Sequence, residues 1–184
     1  VIKGRAPEVV SLVAAALEQG VAASDLLNEG LCAGMGIVGE RFKKNEVFVP
    51  QVLLAARAMK QGTDLLKPHL IAAGVTPFAT AVIGTIKGDL HDIGKNLVGM
   101  MLEGAGFKVV DAGIGVAPDR FVELAQEHDA RIVGVSALLT TTMVTMRAVV
   151  EAVRAAGLPA KVIIGGAPVT QAFCDEIGAD GYSP

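Results

Sequence analysis

Gly84-Thr85-Ile86-Lys87-Gly88-Asp89-Leu90-His91-Asp92-Ile93-Gly94-Lys95-Asn96 leads from an apolar run into a helix through a loop that holds a histidine between two acids. The run before it, Ala79 to Gly84, has three successors of the same kind: Lys108 to Asp111, Arg131 to Ser136 and Val162 to Gly165. All are short and rich in Val and Ile, and they read as buried strands. Helical segments begin near Asp92, Pro118, Thr142 and Thr170. Alternation of this kind means βαβ units, and therefore a parallel sheet with helices on both faces. Gly181-Tyr182 reads as the start of a fifth strand, and no helix has room to follow it before Pro184, so the domain's last helix is expected to be missing.

Upstream of Gly74-Val75-Thr76-Pro77 the pattern is different. Val9, Leu12, Val13 and Ala16 recur at helical spacing, as do Leu27, Leu31, Met35, Val38 and Phe42, and then Val52, Ala56, Met59, Thr63 and Leu66. Pro7 suits a first helical position, Gly20 a stop and Ser24 a start, while Pro50 opens the last helix and Pro68 closes it. Short loops between the stripes make this a small bundle of three or four helices. The expected organisation is a helical domain over residues 1–74 and an α/β domain over residues 75–184.

Composition excludes several classes of function. With 184 residues, 52% hydrophobic and 19% charged, the chain buries a real core and is not a disordered tail. Sixteen basic against nineteen acidic residues, no Lys/Arg-rich run, one Tyr and no Trp leave no surface suited to nucleic acid. Two cysteines, Cys32 and Cys174, lack C-x-x-C spacing and read as reduced thiols of a cytoplasmic protein. No apolar run has the length of a membrane span. The start at Val1, without Met or a signal-peptide pattern, reads as a processed or trimmed piece.

Ligands of an open parallel sheet sit beyond the carboxyl ends of its strands, so the first loop is the place to look. A phosphate-binding P-loop fails there: Gly88 is six positions before Gly94 instead of five, and Asn96 stands where Ser or Thr is needed. A dinucleotide fingerprint fails too, because Gly113-Ile114-Gly115 follows the second strand and lacks the third glycine. What is left is His91 with Asp89 two residues before it. An imidazole becomes a good metal ligand when its second nitrogen donates to a carboxylate. On these residues alone a structural loop, in which Asp92 caps the following helix, stays open as the alternative. His69 and His128 read as solvated, and no second His or Cys lies at zinc- or iron-ligand spacing.

Asp89-x-His91-x-x-Gly94, then Ser136-Ala137-Leu138, then Gly165-Gly166-Ala167 resemble the three-part signature of cobalamin-binding domains. Met35-Gly36-Ile37-Val38-Gly39-Glu40-Arg41-Phe42 and Phe48-Val49-Pro50 resemble the helical cap of the methyltransferase branch of that family. Similarity runs to the small corrinoid proteins of methylamine, methanol and aryl-ether methyltransferase systems, and to the cobalamin module of methionine synthase. The resemblance implies a helical-bundle cap followed by a flavodoxin-like, Rossmann-type parallel-sheet domain that binds cobalamin or a related corrinoid.

It further implies roles for residues. His91 would be the lower axial ligand to cobalt, replacing the cofactor's own base, with Asp89 on its other nitrogen and the hydroxyl of Thr142 as a third member. Family members often carry Ser at the position of Thr142. Gly94, Gly165 and Gly166 would line a slot for the displaced nucleotide tail, Ser136 and Thr140 would offer it hydroxyls, and Leu138 would pack on the corrin. Gly88, Leu90, Asp92, Ile93 and Tyr182 complete the implied cofactor contacts. Phe42 and Val49, the latter where Leu is common, would cover the upper face. The implied function is a methyl carrier that alternates between Co(I) and methyl-Co(III). Its implied partners are a substrate-specific methyltransferase, an acceptor-side methyltransferase and a reductive activase. A cobalamin module of methionine synthase and a cobalamin-sensing regulatory module are the alternatives, although the latter lacks here a DNA-binding half and a Trp in the cap.

Overall fold

The structure, a computed structural model, describes residues 1–183. It divides into two compact units, Val1–Phe78 together with Met100–Gly106, and Ala79–Gly99 together with the chain from Phe107 onward. Among the described residues no helix is long and apolar enough to cross a membrane.

The first unit is helical. α1 (Ala6–Glu18) ends at Gly20, whose φ of +82° only glycine adopts freely. A single helical run follows, made of a short α2 (Ala23–Asp25), a π-helical stretch (Leu26–Cys32) and α3 (Ala33–Lys43). α4 (Val49–Ala72) is the long member, and Gln51 Oε1 accepts the Phe48 N–H at 3.0 Å to satisfy one free donor at its start. Val9, Val13, Leu31, Met35, Val38, Val52, Met59 and Leu66 are buried. A Cβ on Gly62 would lie 3.0 Å from both Leu31 and Val9, so α1, the π-helical stretch and α4 meet where α4 has no side chain.

Two expectations are corrected here. Pro68 does not close α4, which continues to Ala72 and carries His69 within it. Proline forfeits one hydrogen bond and crowds the preceding turn. The turn beyond it is nevertheless held, because Leu66 and Leu70 are both buried. Gly74, at φ +68°, is the stop instead. Leu12, placed in the apolar stripe of α1, is exposed, since Ala6, Val9 and Val13 define the buried arc and Leu12 falls at its edge.

The second unit is a five-stranded sheet of order β2-β1-β3-β4-β5, parallel throughout. Its strands are β1 (Thr80–Ile86), β2 (Lys108–Val116), β3 (Ile132–Ser136), β4 (Lys161–Gly165) and β5 (Gly181–Ser183). Helices α5 (Ile93–Gly104), α6 (Pro118–Glu127), α7 (Thr140–Met143), α8 (Met146–Ala155) and α9 (Gln171–Ile177) connect them. The helix expected from Thr142 is thus two helices. β2 is longer than expected and takes in Gly113-Ile114-Gly115, because its pairing with β1 shifts register twice and both glycines take positive φ.

Side chains alternate across the sheet. Val82, Ile86, Val133, Val135, Val162 and Ile164 pack with Phe121, Met146, Val149 and Val150 of α6 and α8 into the main core. Ile83, Gly134 and Ile163 line the opposite face. Phe121 is fully buried, and its ring occupies the space above Gly84, where a Cβ would come within 2.8 Å of it. Phe121→Ala is expected to cost about 3–5 kcal/mol, and Gly84→Ala about 1–3 kcal/mol by overpacking. Urea unfolding of the double variant should show less than the sum, because removing the ring vacates the space the new methyl needs.

Candidate functional site

β1 ends in a turn that delivers a carboxylate back under its own strand. Gly88 takes φ +88°, and the Asp89 N–H donates to Ile86 O at 3.0 Å. Asp89 is consequently fully buried. Its Oδ1 accepts the His91 N–H at 3.1 Å and faces His91 Nδ1 at 2.7 Å. Its Oδ2 accepts the N–H groups of Leu138 (2.8 Å) and Leu139 (3.2 Å) and lies 2.7 Å from Thr142 Oγ1. The Thr142 hydroxyl is also 2.9 Å from Leu139 O, and its one proton favours the shorter contact to the charged oxygen. Burial pushes the Asp89 carboxyl up. The donors from Leu138, Thr142 and His91 outweigh it and hold the group well below the usual carboxylate range.

This arrangement decides the chemistry of the histidine. With an ionised carboxylate at Nδ1, the proton of the neutral ring sits on Nδ1 and the lone pair on Nε2. Among the described residues no hydrogen bond reaches Nε2, and the side chain is 53% exposed. His91 therefore presents one basic nitrogen outward. Leu90, Ile93 and Leu138 are exposed apolar side chains around the same loop ends.

Beside it lies a cavity of about 280 Å³ between α5 and the sheet. Gly94, Ser136, Gly165, Gly166 and Tyr182 line it, with Ile83, Val98 and Ile163 supplying apolar wall. Its glycines are not interchangeable. A Cβ on Gly165 would lie 2.6 Å from Ser183 O and one on Gly166 only 1.9 Å from Ala137 O, whereas a Cβ on Gly94 would meet nothing within 4 Å. Gly166 also takes φ +125°.

The other expected residues are placed as follows. Thr140 is exposed at the first position of α7 and is not part of the cavity wall. The Asp92 carboxylate accepts the Asn96 side-chain amide at 3.1 Å. Phe42, near the end of α3, and Val49, at the start of α4, are half-buried in the helical unit. His69 is exposed and His128 half-buried.

Three residues of this region escaped the sequence reading. Thr85, fully buried, donates its hydroxyl to His91 O at 2.8 Å. Lys95, 4% exposed, donates to both Asp111 oxygens at 2.7 Å and to Asn96 Oδ1 at 2.6 Å. Burial raises the Asp111 carboxyl, but Lys95 and the Gly113 N–H bring it below its ordinary value. Nothing local in the sequence pairs Lys95, in the first turn of α5, with a carboxylate on the neighbouring strand β2.

Two family models described as B12 binding domain match the chain, one over residues 79–183 and one over residues 1–67. A corrinoid protein of Desulfitobacterium hafniense is 39% identical over 188 residues, covering 100% of this chain and 87% of that protein. Trimethylamine corrinoid protein 1 of Methanosarcina mazei is 46% identical over 180 residues, covering 95% of this chain and 83% of its own length. Among solved structures, the methanol:cobalamin methyltransferase complex MtaBC of Methanosarcina barkeri superimposes with a TM-score of 0.85 at 32% identity, covering 99% of this chain and 70% of that one. A cobalamin-binding protein of Desulfitobacterium hafniense gives 0.82 at 36%, covering 99% and 87%. Matched in both halves and along nearly its whole length, the chain belongs to the B12-binding corrinoid proteins of the methyltransferase type.

Proposed function

We propose that the protein is a methyl carrier, binding a corrinoid with His91 as the lower ligand and passing a methyl group between two methyltransferases. The observation that carries this reading is the outward Nε2 of His91, backed by a buried and fully hydrogen-bonded carboxylate. The residues fit the group. A corrinoid bound without its own base needs an imidazole for the cobalt and a slot for the nucleotide tail, and the cavity beside His91 is apolar and walled by backbone where Gly165 and Gly166 stand.

When bound, the corrinoid would supply a cobalt able to accept and release a methyl group. The chain's own residues do the rest. Donors from Leu138, Thr142 and His91 hold Asp89 ionised, so its carboxylate keeps the neutral ring's proton on Nδ1. Thr142 and the Leu138 N–H keep Asp89 aimed at Nδ1 throughout. Gly94, Ser136, Gly165, Gly166 and Tyr182 would hold the tail, and Thr140, exposed at the start of α7, would offer it a hydroxyl. Gly88, Leu90, Asp92, Ile93 and Leu138 would contact the corrin. Phe42 and Val49 of the helical unit would shield the bound group from water, and the segment from Gly74 to Pro77 would serve as the hinge. The chain binds no methyl donor itself, so a substrate-side methyltransferase loads it, an acceptor-side one unloads it, and a reductive activase restores oxidised cobalt.

Three outcomes follow. The absorption spectrum of the protein loaded with methylcobalamin or hydroxocobalamin should change in His91→Ala; a wild type that keeps no corrinoid through gel filtration would refute the reading. Gly94→Leu should fold as well as the wild type, because its side chain enters open space in a helix, yet retain no corrinoid on the same column. Asp89 gives the apo protein stability that is present above the ordinary carboxylate pKa, near pH 4, and is lost as pH falls toward the depressed folded value. Asp89→Asn should therefore lower stability at pH 7 by about 1–3 kcal/mol and flatten the acid limb of the stability profile, read by urea titration at several pH values.

A further inference from the structure

We propose that Thr85 is a positioning residue for His91, acting through the loop backbone; the proposal rests on His91 being the cobalt ligand. Thr85 lies at the end of β1, and its pairing with Ser136 belongs to an unbroken parallel register between β1 and β3. Its hydroxyl is therefore fixed by the sheet and not by the loop. It donates to the carbonyl of His91 at 2.8 Å, from a fully buried side chain.

That bond completes a set. Asp89 N–H is held by Ile86 O, Asp89 O by the Gly115 N–H, His91 N–H by Asp89 Oδ1 and His91 O by Thr85. All four backbone polar groups of the two signature residues are satisfied without any contribution from the outer ring nitrogen. A ligand that is released and recaptured at one place needs this independence. If the ring alone fixed the loop, each release would free the backbone and each recapture would have to order it again. Among the described residues Thr85 is the one side chain that binds the backbone carbonyl of His91. Removing its hydroxyl leaves a half-buried carbonyl to seek water, and the loop moves with it.

The test uses the whole chain loaded with cobalamin and reduced to cobalt(II), whose electron paramagnetic resonance lines are split by an axial nitrogen. Thr85→Val keeps the shape and removes the hydroxyl; Thr85→Ser does the reverse with the methyl. Thr85→Val is expected to retain cobalamin on gel filtration but to lower the ratio of nitrogen-ligated to unligated cobalt about three- to tenfold, the equivalent of one net hydrogen bond. Thr85→Ser is expected to match the wild type. A wild-type ratio in Thr85→Val overturns the proposal, and so does a Ser variant as depleted as the Val variant, which is what a packing role for the methyl would give. His91→Ala separates the two levels: splitting that persists there overturns the ligand reading itself, while its loss there beside a normal Thr85→Val spectrum overturns Thr85 alone. If circular dichroism shows Thr85→Val unfolded, the Thr85→Ala and Thr85→Ser pair isolates the same hydroxyl, and equal ratios in those two overturn the proposal.

Discussion

One buried carboxylate organises the second unit's functional edge. Asp89 is removed from water, a costly placement for a charge unless donors replace the lost solvent. Here backbone amides of His91, Leu138 and Leu139, the ring of His91 and the hydroxyl of Thr142 replace it. The donors come from two different segments of the chain. One follows β1 and the other follows β3, and only the adjacency of those strands in the order β2-β1-β3-β4-β5 brings them to a single point. The order of the sheet, the ionisation of Asp89 and the tautomer of His91 are thus parts of one constraint.

The two faces of the same sheet are used in opposite ways. Toward α6 and α8 the strands project Val and Ile into a core filled by Phe121 and Met146. Toward α5 they offer Gly134 and Gly165 as well, and the missing side chains leave an open volume. A Cβ on Gly134 would press Ile83 at 2.9 Å, so part of that glycine content serves packing of the wall itself. The rest keeps the wall thin.

Much of this was legible beforehand, for physical reasons that differ by element. Strands β1, β3 and β4 each lie between two neighbours in the sheet, so they appear in the sequence as short, nearly unbroken apolar runs. The pairing of Asp89 with His91 is local, two residues apart, and short spacing is what a sequence displays well. Elements governed by distant partners were harder to see. Pro68 reads as a helix stop by its own chemistry, and only the burial of Leu70 carries α4 past it. β2 extends through Gly113 and Gly115 because its neighbour β1 continues to offer hydrogen bonds. Thr85 looks like any polar residue at a strand end, and the carbonyl that it binds lies in a loop whose shape depends on the Asp89 turn. Neither Lys95 nor Asp111 carries a mark in sequence of the pairing that buries Lys95.

The spacing of the Asp89 hydrogen bonds along the chain sets an order of events. Its bonds to His91 span two residues, but those to Leu138, Leu139 and Thr142 span 49, 50 and 53. The near bonds can form as soon as the loop leaves the ribosome, whereas the far ones require β3 to be seated against β1 across a long closure. Until then one carboxylate oxygen lacks its protein donors. The full donor set of Asp89 is therefore among the last features to be completed, and a nascent chain holds its histidine against a fully anchored carboxylate only after its central strands have zipped.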